Sequence, residues 1–215
     1  MLLDALYIDG FLISIDAMGC QRDIAAKIIE KGGDYLLVVK GNQPTLLARV
    51  ETAFMDHPDE CPLHEHVDAS HGRLVAQISH VLPAADHIDT ALWPQCKIIG
   101  RVSSFRVVGG KPSELEQRFY ISSRELSAEE MALAVRVHWR IENQLHWMLD
   151  VNFGEDGCQV RKDNAPQNLS LLKKIVLNLI RADTTDNVKT SLRQKRKRAA
   201  WDDSIRMRML GLCPL

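Results

Sequence analysis

The chain has 215 residues, 46% of them hydrophobic and 26% charged, enough to bury a sizeable core. Lys and Arg number 27 against 28 Asp and Glu, and the net charge of −1 argues, as an average, against a strongly basic nucleic-acid binder. No apolar run approaches the roughly 18 residues of a membrane helix, no basic leader precedes Arg22, and the five dispersed cysteines form no C-x-x-C pair, a pattern that predicts a cytoplasmic protein without a disulfide framework.

Phe11 to Ile15 is a short apolar, β-branched run, and Asp16 stands at its carboxyl end. Gln21 to Lys31 has helical spacing through Ile24, Ala25, Ile28 and Ile29 and is closed by Gly32-Gly33. Tyr35 to Val39 reads as a second buried strand, followed by the turn-rich Lys40-Gly41-Asn42-Gln43-Pro44. Strand, helix and strand with nearly continuous apolar strands predict a right-handed crossover and a parallel pairing, whose functional residues gather at the carboxyl ends of the strands. Asp16 and Lys40 both fall there.

The segment that follows is polar and reads as loop-rich. Short strands are then expected over Arg73–Val81, Lys97–Val108 and Gln117–Ser122, punctuated by Gly100, Gly109-Gly110 and Pro112. Ser127 and Glu130 fit a capping box that opens a long helix reaching about Leu149, and a further helix is expected over Pro166–Arg181. The fold class is therefore α/β. Four stretches are expected: a strand-helix-strand part over 1–56, a β-rich insertion over 57–125, two helices over 126–182 and a basic tail over 183–215.

Charge is unevenly placed. Glu51 to Asp89 holds eight acids and one base, whereas Cys158 to Arg198 holds eleven bases and three acids and ends in Lys195-Arg196-Lys197-Arg198. Near-neutrality is thus a cancellation, and the basic stretch is a footprint for a polyanion or a solvated helix end. Six of the eight histidines lie in the middle of the chain, and Cys61-x-x-His64-x-His66 invites a zinc-binding module. That spacing matches no usual structural zinc pattern, so a polar surface segment is the plainer account.

Two carboxylates stand out. On the long helix, Val135, His138, Trp139, Glu142, Leu145, His146 and Leu149 share one otherwise apolar face. A carboxylate in the middle of a buried face is costly unless it is paired, with His138 or His146, or binds a cation. Asp16 at its strand end is either a cap for the next helix or a ligand. A pair of this kind suits Mg²⁺, which is held by one or two carboxylates with phosphates and water.

Several blocks resemble transposases of bacterial insertion sequences, specifically the H-repeat-associated group. They are Ile15-Asp16-Ala17-Met18-Gly19-Cys20-Gln21, Gly33-Asp34-Tyr35, Lys40-Gly41-Asn42-Gln43, and above all His138-Trp139-Arg140-Ile141-Glu142-Asn143-Gln144-Leu145-His146-Trp147, continuing through Leu149-Asp150-Val151 to Glu155-Asp156. His71-Gly72-Arg73, Arg118 to Ser123, Arg161, Asn164-Ala165-Pro166 and Asn168-Leu169 extend the likeness nearly end to end.

The resemblance implies an RNase H-like fold with an Asp-Asp-Glu triad, a β-rich insertion between the second Asp and the Glu, and two Mg²⁺ (or Mn²⁺) ions. Asp16 matches the second aspartate and Glu142 the glutamate, both catalytic and metal-binding. Lys40, Asn42, Arg161, Lys162, Lys195, Arg196, Lys197 and Arg198 are the expected contacts to DNA, both element ends and target. Val135, His138 and Leu149 depart from the Tyr, Arg and Lys signature that the wider superfamily places around the glutamate.

The first aspartate should lie on an earlier strand, yet fifteen residues precede Asp16, and Asp4 and Asp9 abut the same strand. The chain therefore reads as the C-terminal part of a partial fold, begun at an internal Met. Two readings follow: a metal-dependent transposase that cleaves and joins DNA strands, or a non-catalytic remnant that binds DNA or an intact transposase; a homo-oligomer is a further expected partner.

Overall fold

The structure is a computed structural model that describes residues 2–57, 63–70, 73–108, 111–184 and 190–212, without the side chains of Ser70, Arg73, Val108 and Asn143. Cys61, His71-Gly72, Gly109-Gly110, Asp186 and Cys213 lie outside the described residues. The chain divides into two compact units, Met1–His138 and Trp139–Leu215.

Unit 1 is built on a parallel β-α-β crossover. Strand β1 (Leu12–Ile15) leads through helix α1 (Arg22–Glu30) to β2 (Asp34–Val39), with Leu12 opposite Asp34 and Ile15 opposite Leu37. Helix α1 buries Ala25 and Ile28, and Gly32 takes the left-handed conformation (φ +75°) that ends it. Beyond β2, the loop read as a turn is the start of a helix the sequence analysis did not anticipate, α2 (Pro44–Asp56). Pro44 occupies its first turn, where a missing N–H costs nothing, and Leu46, Val50, Ala53 and Phe54 face the core.

The remaining strands are β3 (Leu63–Ser70), β4 (Arg73–Pro83), β5 (Ile98–Val108), the short β6 (Lys111–Pro112) and β7 (Glu116–Ser122). They pair antiparallel and join the crossover through β7 on β2, giving the order β1-β2-β7-β5-β4-β3 with β6 beside β5. The expected β-rich region therefore continues one sheet. The segment around His64 and His66, read as loop, is corrected to strand: β4 supplies its backbone partners from Leu63 opposite His80 to Ser70 opposite Arg73.

Tyr35, Leu37 and Val39 of β2, Ile99 of β5, and Phe119 and Ile121 of β7 lie in one buried cluster with Val50 and Phe54 of α2. At the amino end of β2 a polar clasp ties three segments. Ser123 donates its hydroxyl to Asp34 (2.8 Å) and accepts the Tyr35 N–H (2.9 Å). Arg124 donates to Asp34 (2.8 Å) and to the Gly10 carbonyl (2.7 Å). The Gly33-Asp34-Tyr35 block thus gains a structural role.

Helix α3 (Ala128–Ile141) opens with the expected capping box, Ser127 N–H to Glu130 at 2.8 Å and Glu130 N–H to Ser127 Oγ at 3.2 Å. It buries Ala128, Met131, Ala132 and Val135. In unit 2 a π-helical turn (Glu142–His146) follows, then α4 (Trp147–Phe153), α5 (Ala165–Ala182), α6 (Leu192–Trp201) and α7 (Asp203–Met209). The stretch expected as a basic tail holds α6 and α7, with a capping box at Ser191 and Gln194. Among the described residues no helix is long and apolar enough to cross a membrane.

Candidate functional site

Asp16 ends β1, and the chain turns there through one 3-10 turn, Ala17–Gly19. Gly19 is required by space: a Cβ there would stand 2.3 Å from Ile15 Cγ2. The side chain of Asp16 makes no capping bond into that turn, so its role as a helix cap falls away. The carboxyl is held below the ordinary range, first by the Ala17 backbone N–H and further by the Lys40 ammonium 3.3 Å away, against partial burial. It is an exposed carboxylate, ionised at neutral pH.

The loop after β2 is bound to this turn. Asn42 donates its amide to the Ala17 carbonyl at 2.7 Å, and Gln43 donates to the Cys20 carbonyl at 2.9 Å. Asp16, Lys40 and Asn42 therefore come together, and Asn42 fixes the turn that carries Asp16. Across α3, His138 Nδ1 lies 3.0 Å from Ser14 Oγ on β1, and its charge also favours the ionised form of Asp16. Cys20, at the end of the turn, is fully buried and its thiol is pushed up to about 12, mainly by burial, so it is no nucleophile.

Glu142 belongs to unit 2. It opens the π-helical turn and is exposed, as is His146, which corrects the expectation of a carboxylate in mid-face. Of the predicted stripe, Val135 and Leu149 are buried and His138, Trp139 and Leu145 half-buried, whereas Glu142 and His146, both in the wide turn, are exposed. Turns of this type are rare and recur at functional sites. Arg181 of α5 donates to the Gln144 carbonyl inside the turn and anchors it. Nothing in the sequence pattern signals either feature.

The basic residues of unit 2 divide. Lys195, an expected DNA contact, is half-buried and pairs with Asp183, with Nζ 3.5 Å from the carboxylate and side-chain exposures of 13% and 3%. Arg196 stacks over the Phe153 ring at 5.4 Å and Lys197 over Trp201 at 5.9 Å, which leaves their charges near solvent. Arg161 and Lys162 are exposed in the segment before α5, Arg161 bonding its neighbours' carbonyls at Cys158 and Val160.

Among the described residues no three His, Cys, Asp or Glu side chains gather as a metal cluster. Asp16 supplies the hard oxygen donor that fits a cation otherwise completed by substrate phosphate and water. Of the histidine-rich stretch, His57 and His87 bring their rings to 5.3 Å.

A family model described as "Transposase DDE domain" matches residues 1–179. From Escherichia coli K12, "Putative protein YbfL" is 42% identical and "H repeat-associated putative transposase YhhI" 41% identical, each over 94% of this chain and 55% of the relative. "Putative transposase YncI" of E. coli O157:H7 is 38% identical over 99% of this chain and 56% of its own length. The chain thus spans about half the length of the curated relatives it matches. No solved structure matches it. By the extent of the domain match and by these relatives, the chain belongs to the DDE transposases, in the H-repeat group of insertion-sequence transposases.

Proposed function

We propose that this chain is the portion of an insertion-sequence transposase that carries the second aspartate and the glutamate of the catalytic Asp-Asp-Glu set. Its α/β sheet is read as RNase H-like, with β3 to β7 forming the insertion between the two carboxylates. The observation that carries the reading is Asp16: an ionised, exposed carboxylate at the carboxyl end of a strand in a parallel β-α-β unit.

Asp16 and Glu142 would hold the divalent ions, Mg²⁺ or Mn²⁺, which when bound activate the attacking oxygen and stabilise the leaving one. Lys40, 3.3 Å from Asp16, balances its charge and would offer its ammonium to a strand phosphate. Asn42 and Gln43 keep the Asp16 turn in place. Arg161, Lys162, Arg196, Lys197 and Arg198 neutralise phosphates of the element ends and target, each neutralised phosphate adding about 0.9 to the salt slope on duplex DNA. Among the described residues, neither Asp4, in the 3-10 turn Leu2–Ala5, nor Asp9, at the amino end of β1, stands at the carboxyl end of a strand as Asp16 does, and we assign the first aspartate to neither. The isolated chain is accordingly read as binding DNA without cutting it.

Two measurements on the purified chain test this. Mn²⁺ binding, followed by electron paramagnetic resonance, is expected to weaken at least tenfold in Asp16→Asn; unchanged binding removes Asp16 from the metal site. Cleavage of element-end DNA with Mg²⁺ or Mn²⁺ is expected from neither wild type nor Glu142→Gln. Cleavage by wild type that Glu142→Gln abolishes would restore a complete catalytic set to this chain.

A further inference from the structure

Unit 1 carries 19 acids and 13 bases, so unpaired bases set close together in it are unexpected. A pocket of about 120 Å³ lies where the starts of α1 and α2 meet the turn after β4. Its charged and polar lining comes from Arg22 of α1, Gln43, Thr45 and Arg49 of α2, and Asp89, over a floor that includes the buried Trp93. Arg22 and Arg49 are exposed and form no ion pair or side-chain hydrogen bond with any described residue. Asp89 in the same lining forms no ion pair with either; its Oδ1 accepts the Ala91 N–H at 3.0 Å, and its single negative charge leaves the two arginines in excess.

We infer that this pocket is a subsite for one backbone phosphodiester of a DNA strand, an inference that rests on the transposase reading. Two guanidiniums around one concavity match the geometry of a phosphate better than that of a carboxylate chain or an apolar group. The apolar floor suits the adjoining deoxyribose. Gln43 joins the pocket wall to the turn that follows Asp16 through its bond to the Cys20 carbonyl. The subsite thus registers the strand on unit 1, independently of the basic helices of unit 2.

The test is salt-dependent binding of duplex DNA by wild type, by Arg22→Gln/Arg49→Gln, and by the control pair Arg106→Gln/Lys111→Gln on β5 and β6. The pocket variant is expected to bind about tenfold more weakly at low salt, with a log-log salt slope shallower by about 0.9. The control pair is expected to leave the slope within error, and Arg22→Lys/Arg49→Lys to restore the slope but not the full affinity. A slope unchanged in the pocket variant, or an equal drop in the control, overturns the subsite while leaving the family reading intact. Wild type that binds DNA without salt dependence overturns both the subsite and the phosphate-neutralising role proposed for the basic residues of unit 2.

Discussion

The two units present their carboxylates by different means. Asp16 leaves a sheet whose central strand β2 is buried from Tyr35 to Val39, and its turn is bonded to a neighbouring loop at two carbonyls. Glu142 leaves a helical unit in which Leu149, Leu177 and Ile180 are the buried apolar residues among those described, while Trp147, Val151, Leu171, Leu172, Ile175 and Trp201 are exposed. The charge differs as well: unit 2 holds 14 bases and nine acids, the reverse of unit 1. A sheet holds its site by packing, and a thin helical unit must hold its site by a few polar anchors. Arg181 on Gln144 and Lys195 on Asp183 are those anchors.

The largest effect should therefore come from one buried ion pair. Lys195→Ala removes the ammonium 3.5 Å from the nearly buried Asp183 carboxylate, at a cost of about 3 kcal/mol. Hydrogen exchange followed by mass spectrometry is expected to show protection lost across the helices of unit 2 and retained in β2, β5 and β7. The double variant Asp183→Ala/Lys195→Met, which buries no lone charge, should recover most of it. Uniform loss of protection through both units would break the contrast drawn here.

Unit 1 should resist comparable insults better. Asp34→Ala removes the acceptor for Ser123 and Arg124, and the expected loss is about 2 kcal/mol, because hydrogen bonds to a charged group are the stronger kind but Arg124 is partly solvated. Urea titration should show a lower midpoint and an unchanged slope. A loss exceeding that of Lys195→Ala would reverse the ranking of the two units.

The division between local and distant causes also explains what the sequence revealed. The β1-α1-β2 unit and the Ser127 capping box were legible because their signals lie within a few residues: apolar strands, a Gly stop, Ser and Glu at the right spacing. Strand β3 was not, since Leu63 to Ser70 has a weak apolar pattern and becomes a strand only by pairing with β4. Pro44 reads equally as a turn and as a helix start, and the packing of Val50 and Phe54 decides it. Asp16 and Lys40 were legible as strand-end residues. The π turn at Glu142, the diversion of Lys195 and the convergence of Arg22 with Arg49 depend on partners far along the chain, which no local pattern encodes.

Residues placed for chemistry rather than packing should be nearly silent in stability. Asp16→Asn removes an exposed carboxylate and its pair with Lys40, and the unfolding free energy is expected to move by no more than about 0.5 kcal/mol. Denaturant unfolding read beside Mn²⁺ binding separates the two roles: a large stability loss would make Asp16 a structural residue of unit 1.

The smallest effect is a pH dependence confined to the sheet. His80 on β4 stands opposite Arg101 on β5, and its pKa is lowered from 6.5, mainly by burial and further by that guanidinium. The unfolded chain then binds the proton more readily than the folded one. Stability from this group is complete above about pH 6.5 and declines as the pH falls below it, until the folded-state value is passed. The urea midpoint of His80→Gln should accordingly fall less than that of wild type between pH 7 and pH 5. Because His80 belongs to unit 1, exchange in β4 and β5 should carry the difference and the helices of unit 2 should not; a matching change in α5 would mean that the two units do not melt as separate bodies.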